Sequence, residues 1–249
     1  MKSSCSILST WLFGASVWVL GCSVQSEKGA GSESLDSVSQ ADKDDGEQSD
    51  DDDDVSAFQL LSLTFASGAA IPDANTCNGK PFGAGTSPAL RWKHAPKHTK
   101  SFALVLKDTS LTTLSPADNR GWHWVIWDIP KKVDSLPSAL ASTEFLSAPA
   151  GARQWSRYSP YGYLGPCPNF DTVNNPVHTD NYSFTLYALD SKILAYPAPD
   201  PAIPNYTRVL DEYLAAHSLG KAELLGTSAA IPSAPPVPPG APPAPSPRP

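Results

Sequence analysis

Several things are scarce in this chain, and each scarcity excludes a class. No stretch reaches the roughly 18 or more consecutive apolar residues of a spanning helix; the longest apolar-rich run, Ile7 to Leu20, is shorter. Lys and Arg number 18 against 25 Asp and Glu, giving a net charge of -7. No basic stripe is present to track a phosphate backbone, so nucleic acid is not an expected partner. Four cysteines in 249 residues are too few for a disulfide-dense scaffold. No Gly-x-Ser-x-Gly elbow marks a nucleophile, and no His-Glu-x-x-His spacing marks a zinc helix. Internal repeats are absent too, which removes solenoids and propellers.

What is present divides the chain into four parts. Lys2 followed by the apolar run Ile7 to Leu20 reads as an export signal over 1–21. The run ends in Val19-Leu20-Gly21-Cys22, which resembles the bacterial lipoprotein box, and implies cleavage before Cys22 and acylation of that cysteine. Several acyl chains on one residue give stable membrane attachment. Residues 23–56 hold 12 Asp or Glu against 2 Lys, with the run Asp50 to Asp54, and read with Cys22 as an acidic disordered tether over 22–56. Fully extended, such a spacer reaches roughly 110–120 Å. At the far end, 232–249 contains 10 prolines in 18 residues, so 229–249 is expected to be a proline-rich tail without a core. Residues 57–228 carry 13 Asp or Glu and 14 Lys or Arg. The acidity therefore belongs to the tether and does not describe a binding surface. Export implies a bacterial cell envelope location, with a lipid-anchored protein expected at the outer membrane.

Within 57–228 the dominant period is two. Phe58 to Phe65, Ser101 to Leu106, Trp122 to Ile129 and Tyr182 to Leu189 alternate apolar residues between clusters of Gly, Pro, Asn and Asp, as strands do. After Asn205 the period changes. Tyr206, Val209, Leu210, Tyr213, Leu214 and His217 form one helical stripe, with Asp211 and Glu212 expected to face out. A second short helix, Lys221 to Leu225, is expected to follow. The predicted fold is mainly β, an antiparallel β-sandwich with C-terminal helices. With Cys5 lost in the leader and Cys22 acylated, Cys77 and Cys167 remain to form a disulfide in an oxidising compartment.

Candidate site residues cluster at strand ends. Alternation places Asp108 on the face of Phe102, Leu104 and Leu106, at the rim of an apolar surface, and His123 on the face of Val125, Trp127 and Ile129. The Gly165-Pro166-Cys167-Pro168 turn is rigid and allows close backbone approach. His178 and Asp180 precede the strand opened by Tyr182. A metal site from His123, His178, Asp108 and Asp180 lacks a recognisable ligand spacing, and no cofactor is expected.

Thr76-Cys77-Asn78-Gly79, Ser87-Pro88-Ala89-Leu90-Arg91-Trp92, Asp108, His123-Trp124, Gly165-Pro166-Cys167-Pro168, Tyr182 to Leu189 and His217 to Thr227 occur in one order across nearly all of 57–228. Together they resemble the phosphatidylethanolamine-binding protein family, and more narrowly its bacterial, Raf kinase inhibitor-like branch. The resemblance implies a small pocket for phosphate-type head groups, drawing on Asp108, His123, Gly165, Pro166 and Tyr182, and a regulatory role of the kinase- or protease-inhibitor kind. Two departures bear on the ligand. The family's Asp-Pro-Asp-Ala-Pro is replaced by Asp108-Thr109-Ser110-Leu111-Thr112, so only the first carboxylate survives. The family's His two residues before the strand Tyr is replaced by Asp180, with His178 two residues further back. The expected function is therefore a membrane-tethered, non-catalytic protein binding a phosphorylated or otherwise anionic small ligand, with a protein partner kept open. The alternatives are a hydrolase or lyase using Asp108 and His123 as acid and base, and an envelope interaction protein with a vestigial pocket.

Overall fold

A computed structural model describes residues 57–114, 119–157, 161–192 and 206–234. The leader, Cys22, the tether and the proline segment from 235 onward lie outside them.

Two antiparallel sheets form the body. The smaller has the order β1-β2-β5, from β1 (Gln59–Ser62), β2 (Leu90–Lys93) and β5 (Ser135–Leu136). The larger runs β6-β7-β4-β3-β8-β9 and uses β3 (Ser101–Asp108), β4 (Trp122–Pro130), β6 (Phe145–Ser147), β7 (Ala150–Ser156), β8 (Asp180–Leu189) and β9 (Ser218–Ser228). A short helix α1 (Thr109–Leu114) follows β3, and α2 (Tyr206–Ala216) precedes β9. Among the described residues no helix is long and apolar enough to cross a membrane.

The central strands are buried on both faces, so β3 and β4 carry apolar runs more continuous than alternation alone predicts, while β8 keeps its alternation and buries Ser183 and Thr185 as well. On one face, Phe102, Leu104, Leu106, Trp124, Phe184 and Leu186 meet Leu60, Leu90 and Trp92 of the small sheet. On the other, Val105, Val125, Trp127 and Tyr187 meet Tyr206, Leu210 and Leu214 of α2.

The mainly β sandwich stands as expected, with three local corrections. Residues Lys221 to Leu225 are strand, not helix: β9 pairs with β8 along its length, with Ala222 and Leu224 buried and Lys221, Glu223 and Leu225 exposed. Lys-Ala-Glu-Leu-Leu has strong helix propensity, but an unpaired β8 edge offers ladder partners that a helix would leave open. Only one C-terminal helix is therefore present among the described residues. Asp211, expected to face out, is buried and accepts from Lys107 Nζ (3.0 Å), Trp122 Nε1 (2.9 Å) and Tyr187 Oη (2.7 Å). The stripe is narrower than predicted, since Val209 and His217 are exposed.

Cys77 and Cys167 form the expected disulfide, with Sγ–Sγ 1.97 Å and Cα–Cα 5.4 Å. Ala230 packs on it. Residues beyond 228 continue along this loop, with Gly79 N donating to Ile231 O and Ser233 N to Lys80 O.

Candidate functional site

Because β3, β4 and β8 are antiparallel neighbours, the C-terminal end of β3 meets the N-terminal ends of the other two. Asp108 lies directly opposite Tyr182, and Lys107 opposite Trp122. Asp108, Tyr182 and, two residues earlier on β8, Asp180 thus share the face that looks toward the small sheet.

His123 reaches this face by a bulge. The register steps from Leu106↔Trp124 to Lys107↔Trp122, so β4 spends two residues where β3 spends one. Trp122 and Trp124, which simple alternation would place together, lie in opposite core layers, and His123 is the extra residue between them. The expected partnership with Val125 and Trp127 is therefore replaced: the imidazole stands edge-on to Tyr182, ring centroids 5.5 Å apart at 88°. A second irregularity at Asp128, where φ is +56°, separates Trp127 from Ile129, which lie in different layers.

Both polar tips of that ring pair are buried; His123 Nδ1 has no hydrogen-bond partner among the described residues, and the Tyr182 hydroxyl stands beside the Asp108 carboxylate. Burial lowers the His123 pKa to about 4; the carbonyls of Leu164 and Gly165 oppose this by accepting from the ring, and the Arg157 charge adds to it. His123 is thus neutral at pH 7. The Tyr182 hydroxyl is pushed well above its ordinary value by burial and then by the charges of Asp108 and Asp180.

Asp108 is buried at the end of β3, and one carboxylate oxygen accepts from Leu111 N at 2.9 Å, capping the turn that opens α1. This is what Asp108-Thr109-Ser110-Leu111-Thr112 builds where the related pattern has a second carboxylate. The Asp180 carboxyl stands near that of Asp108. Burial raises both acids, and the Asp108 charge raises Asp180 further. Such a pair ionises in steps, because like charges this close disfavour double ionisation. His178 reaches the cluster only at its edge, with Nε2 3.5 Å from Asp180 Oδ2 and a side chain 45% exposed. Its backbone is held by Asn169, whose side chain bonds both His178 N and His178 O at 2.8 Å.

Gly165 and Pro166 form a turn packed tightly against neighbouring loops. A Cβ on Gly165 would stand 2.8 Å from Asn75 O and 3.0 Å from Ala84 O, so the close approach is to the chain's own loops. Pro166 O accepts from Cys77 N at 3.1 Å. The turn serves as a wall behind His123. Arg157, absent from the sequence expectation, directly follows β7; with Trp124 opposite Ser156, continued register brings it level with His123. Its signal was hidden because β7 lacks clean alternation.

Beside the cluster opens a cavity of about 560 Å³, lined by Ser110, Leu114, Asn181, Tyr182, Leu225 and Gly226 among others. Of the expected site residues, Tyr182 alone borders it. Among the described residues no group of side chains is placed to hold a metal ion.

The family model described as phosphatidylethanolamine-binding protein matches residues 61–229. A UPF0098 protein of Chlamydia pneumoniae is 33% identical over 171 residues, covering 68% of this chain and 97% of the relative. The UPF0098 protein YbcL of Escherichia coli is 30% identical over 173 residues, covering 68% and 86%. Among solved structures, a phosphatidylethanolamine-binding protein homolog from Chlamydia trachomatis superposes with a TM-score of 0.50 at 26% identity, covering 69% of this chain and 97% of that one. The YbcL crystal structure, at 23% identity and a TM-score of 0.51, supports the fold alone.

Proposed function

The chain belongs to the phosphatidylethanolamine-binding protein family, and on that premise we propose that it is a non-catalytic binding module for a small oxyanion of the phosphate type. It is held on the bacterial envelope, at the outer membrane, by acyl chains on Cys22, and acts on a protein partner as a kinase- or protease-inhibitor-like regulator. The observation that carries the binding reading is the buried His123–Tyr182 ring pair, in which His123 Nδ1 has no hydrogen-bond partner among the described residues and the Tyr182 hydroxyl stands beside Asp108. An unmade hydrogen bond costs about 1–3 kcal/mol in a buried setting. A hydroxyl-bearing oxyanion such as a hydrogen phosphate can donate to Nδ1, which offers a lone pair because the one proton of the neutral ring goes to the Leu164 and Gly165 carbonyls, and can accept from the tyrosine hydroxyl. Catalysis draws less support, since an imidazole whose pKa is lowered to about 4 is a weak general base at neutral pH.

The test is a two-dimensional NMR titration of the full chain with inorganic phosphate, phosphoethanolamine and acetate, repeated with vesicles containing phosphatidylethanolamine. Saturable shifts at 123, 165–168 and 178–182 are expected with the phosphorylated compounds, and His123→Ala abolishes them while remaining folded. Soluble compounds acting alone identify a free metabolite; vesicles acting alone identify a lipid head group. Unchanged affinity in His123→Ala removes that residue from the site. The anchor is checked by the mass of the N-terminal peptide from the bacterial membrane fraction, which carries acyl chains on Cys22 and loses them in Cys22→Ser.

A further inference from the structure

The cations of the domain are not spread evenly. β2 ends at Lys93 and β3 begins at Ser101, so the loop between them lies at the end of the sandwich where β3 starts. Ser101 stands opposite Pro130 and Leu189, which brings the Lys131-Lys132 turn after β4 and Lys192 after β8 to the same end. Lys100 N donates to Leu189 O at 2.7 Å and Ser101 Oγ to Ser191 O at 2.6 Å, tying the β3 start to the β8 exit. This end therefore gathers Lys93, Lys97, Lys100, Lys131, Lys132 and Lys192, all of them exposed. None of the six forms an ion pair among the described residues. The exposed carboxylates on the same segments are Asp134 and Asp190, while Asp128 is buried. At the start of β9, Lys221 and Glu223 offset each other at 3.4 Å. Three separate turns assemble this surface, which is why no basic stripe is visible along the sequence.

The β2–β3 loop is shaped to present its charge. Pro96 O accepts from both Thr99 N and Thr99 Oγ1, at 3.3 Å and 2.6 Å. His94 and His98, on either side of this turn, take φ of +57° and +73°, a conformation uncommon outside glycine.

A cationic end of this kind calls for an anionic occupant, and the chain carries one beside it. Gln59 pairs with Lys93, and Phe58 packs on Phe102 with ring centroids 6.3 Å apart, so the chain enters the domain at the lysine end. The run Asp50 to Asp54 lies just upstream. Asp54 precedes Gln59 by five residues and Asp50 by nine, which an extended chain spans with roughly 17 Å and 30 Å of reach. We propose that the lysine end is the docking surface for Asp50–Asp54 of the same chain, and that this contact covers the end against other polyanions.

Single exposed ion pairs contribute little, so the contact depends on several forming together. The short connection favours this by holding the local concentration of the run near the millimolar range. Salt weakens it, because exposed charges are screened over about 8 Å at physiological ionic strength. Asp108 stands seven residues along β3 from Ser101, about 24 Å away at the rise of a strand. The cover therefore leaves the Tyr182 site open and does not rest on the oxyanion reading.

Carbodiimide coupling of the full chain at low salt joins carboxylates to the amines they touch, and peptide mass spectrometry identifies the pairs. Mixing unlabelled and isotope-labelled chains separates links within a molecule from links between two. The expected result is within-molecule links from Asp50–Asp54 to the six lysines, falling several-fold in molar salt. The variant carrying Asp50→Asn through Asp54→Asn is changed only upstream of the described residues, and its melting temperature in molar salt is expected to match the wild type. At low salt it should bind inorganic polyphosphate about tenfold more tightly, the gain for an end otherwise covered nine-tenths of the time.

Absence of within-molecule links to these lysines overturns the proposal. Equal affinity for polyphosphate in the two proteins, or none in either, overturns it as well. Links found only between labelled and unlabelled chains replace the aspartate run of the same chain with that of a second copy. Vesicles of phosphatidylglycerol that bind the wild type as tightly as the variant show an end open to a membrane surface, which also defeats the cover.

Discussion

His123 carries the clearest pH signature of any single residue. Held neutral by burial, it has a pKa of about 4 in the folded protein against an ordinary 6.5. The unfolded chain binds more protons between those values, so the histidine's contribution to stability is full above pH 6.5 and is lost as pH falls toward 4. A gap of that size corresponds to on the order of 3 kcal/mol. Asp108 and Asp180 act with the opposite sign. Their raised pKa values contribute stability that is complete below 3.8 and lost as pH rises through their folded values. Subtracting the histidine should expose the carboxyl pair. Urea denaturation at pH 7 and pH 5 is expected to show the wild-type protein losing stability on acidification, whereas His123→Ala stays level or gains. An equal fall in both proteins would show that the imidazole is not the buried neutral group described.

At the scale of elements, one carboxylate fastens α2 to the large sheet. Asp211 accepts three hydrogen bonds, from Lys107 on β3, Trp122 on β4 and Tyr187 on β8, and its contact with Lys107 is a partly buried ion pair. Asp211→Ala would leave a cation and two buried donors without their acceptor, which costs about 3–5 kcal/mol. The expected result is a lower denaturation midpoint with anion affinity unchanged, because Asp211 lies in the layer opposite the site. The same residue shows where sequence reasoning stops. The helical period located α2, and alternation located β3, β4 and β8, because each sets side-chain direction within a single element. Whether Asp211 faces out depends on donors that three distant strands supply, and no local period encodes that. The His123 bulge is hidden for a related reason: one extra residue reverses the face of everything before it, and the register that reveals it belongs to the β3–β4 pair. Lys221 to Leu225 misled in the other direction, with local helix propensity overruled by the edge of β8. Asp108, Asp180 and Tyr182 were legible because they sit at the ends of regular strands. Arg157 was not, because its strand is irregular.

Across the whole molecule, the disulfide links the loop near Cys77 to the turn that backs the site. Cys77 and Cys167 enclose 90 residues of sequence separation, and closing such a loop stabilises the folded state by roughly 4–5 kcal/mol in the chain-entropy model. Its position matters as much as its length. Cys167 is two residues from Gly165, Pro166 O accepts from Cys77 N, and the Leu164 and Gly165 carbonyls face the His123 ring. The staple therefore holds the wall against which the imidazole is oriented. Replacing both cysteines by serine should lower the unfolding free energy by roughly the loop-closure amount and also weaken anion binding several-fold. Asp211→Ala supplies the comparison, because it removes a similar amount of stability from the far layer. If the two variants lose stability together but only the cysteine variant loses affinity, the disulfide acts on the site through the Gly165-Pro166 wall. Equal losses of affinity would mean that general loosening of the domain, and not this wall, governs how the pocket holds its ligand.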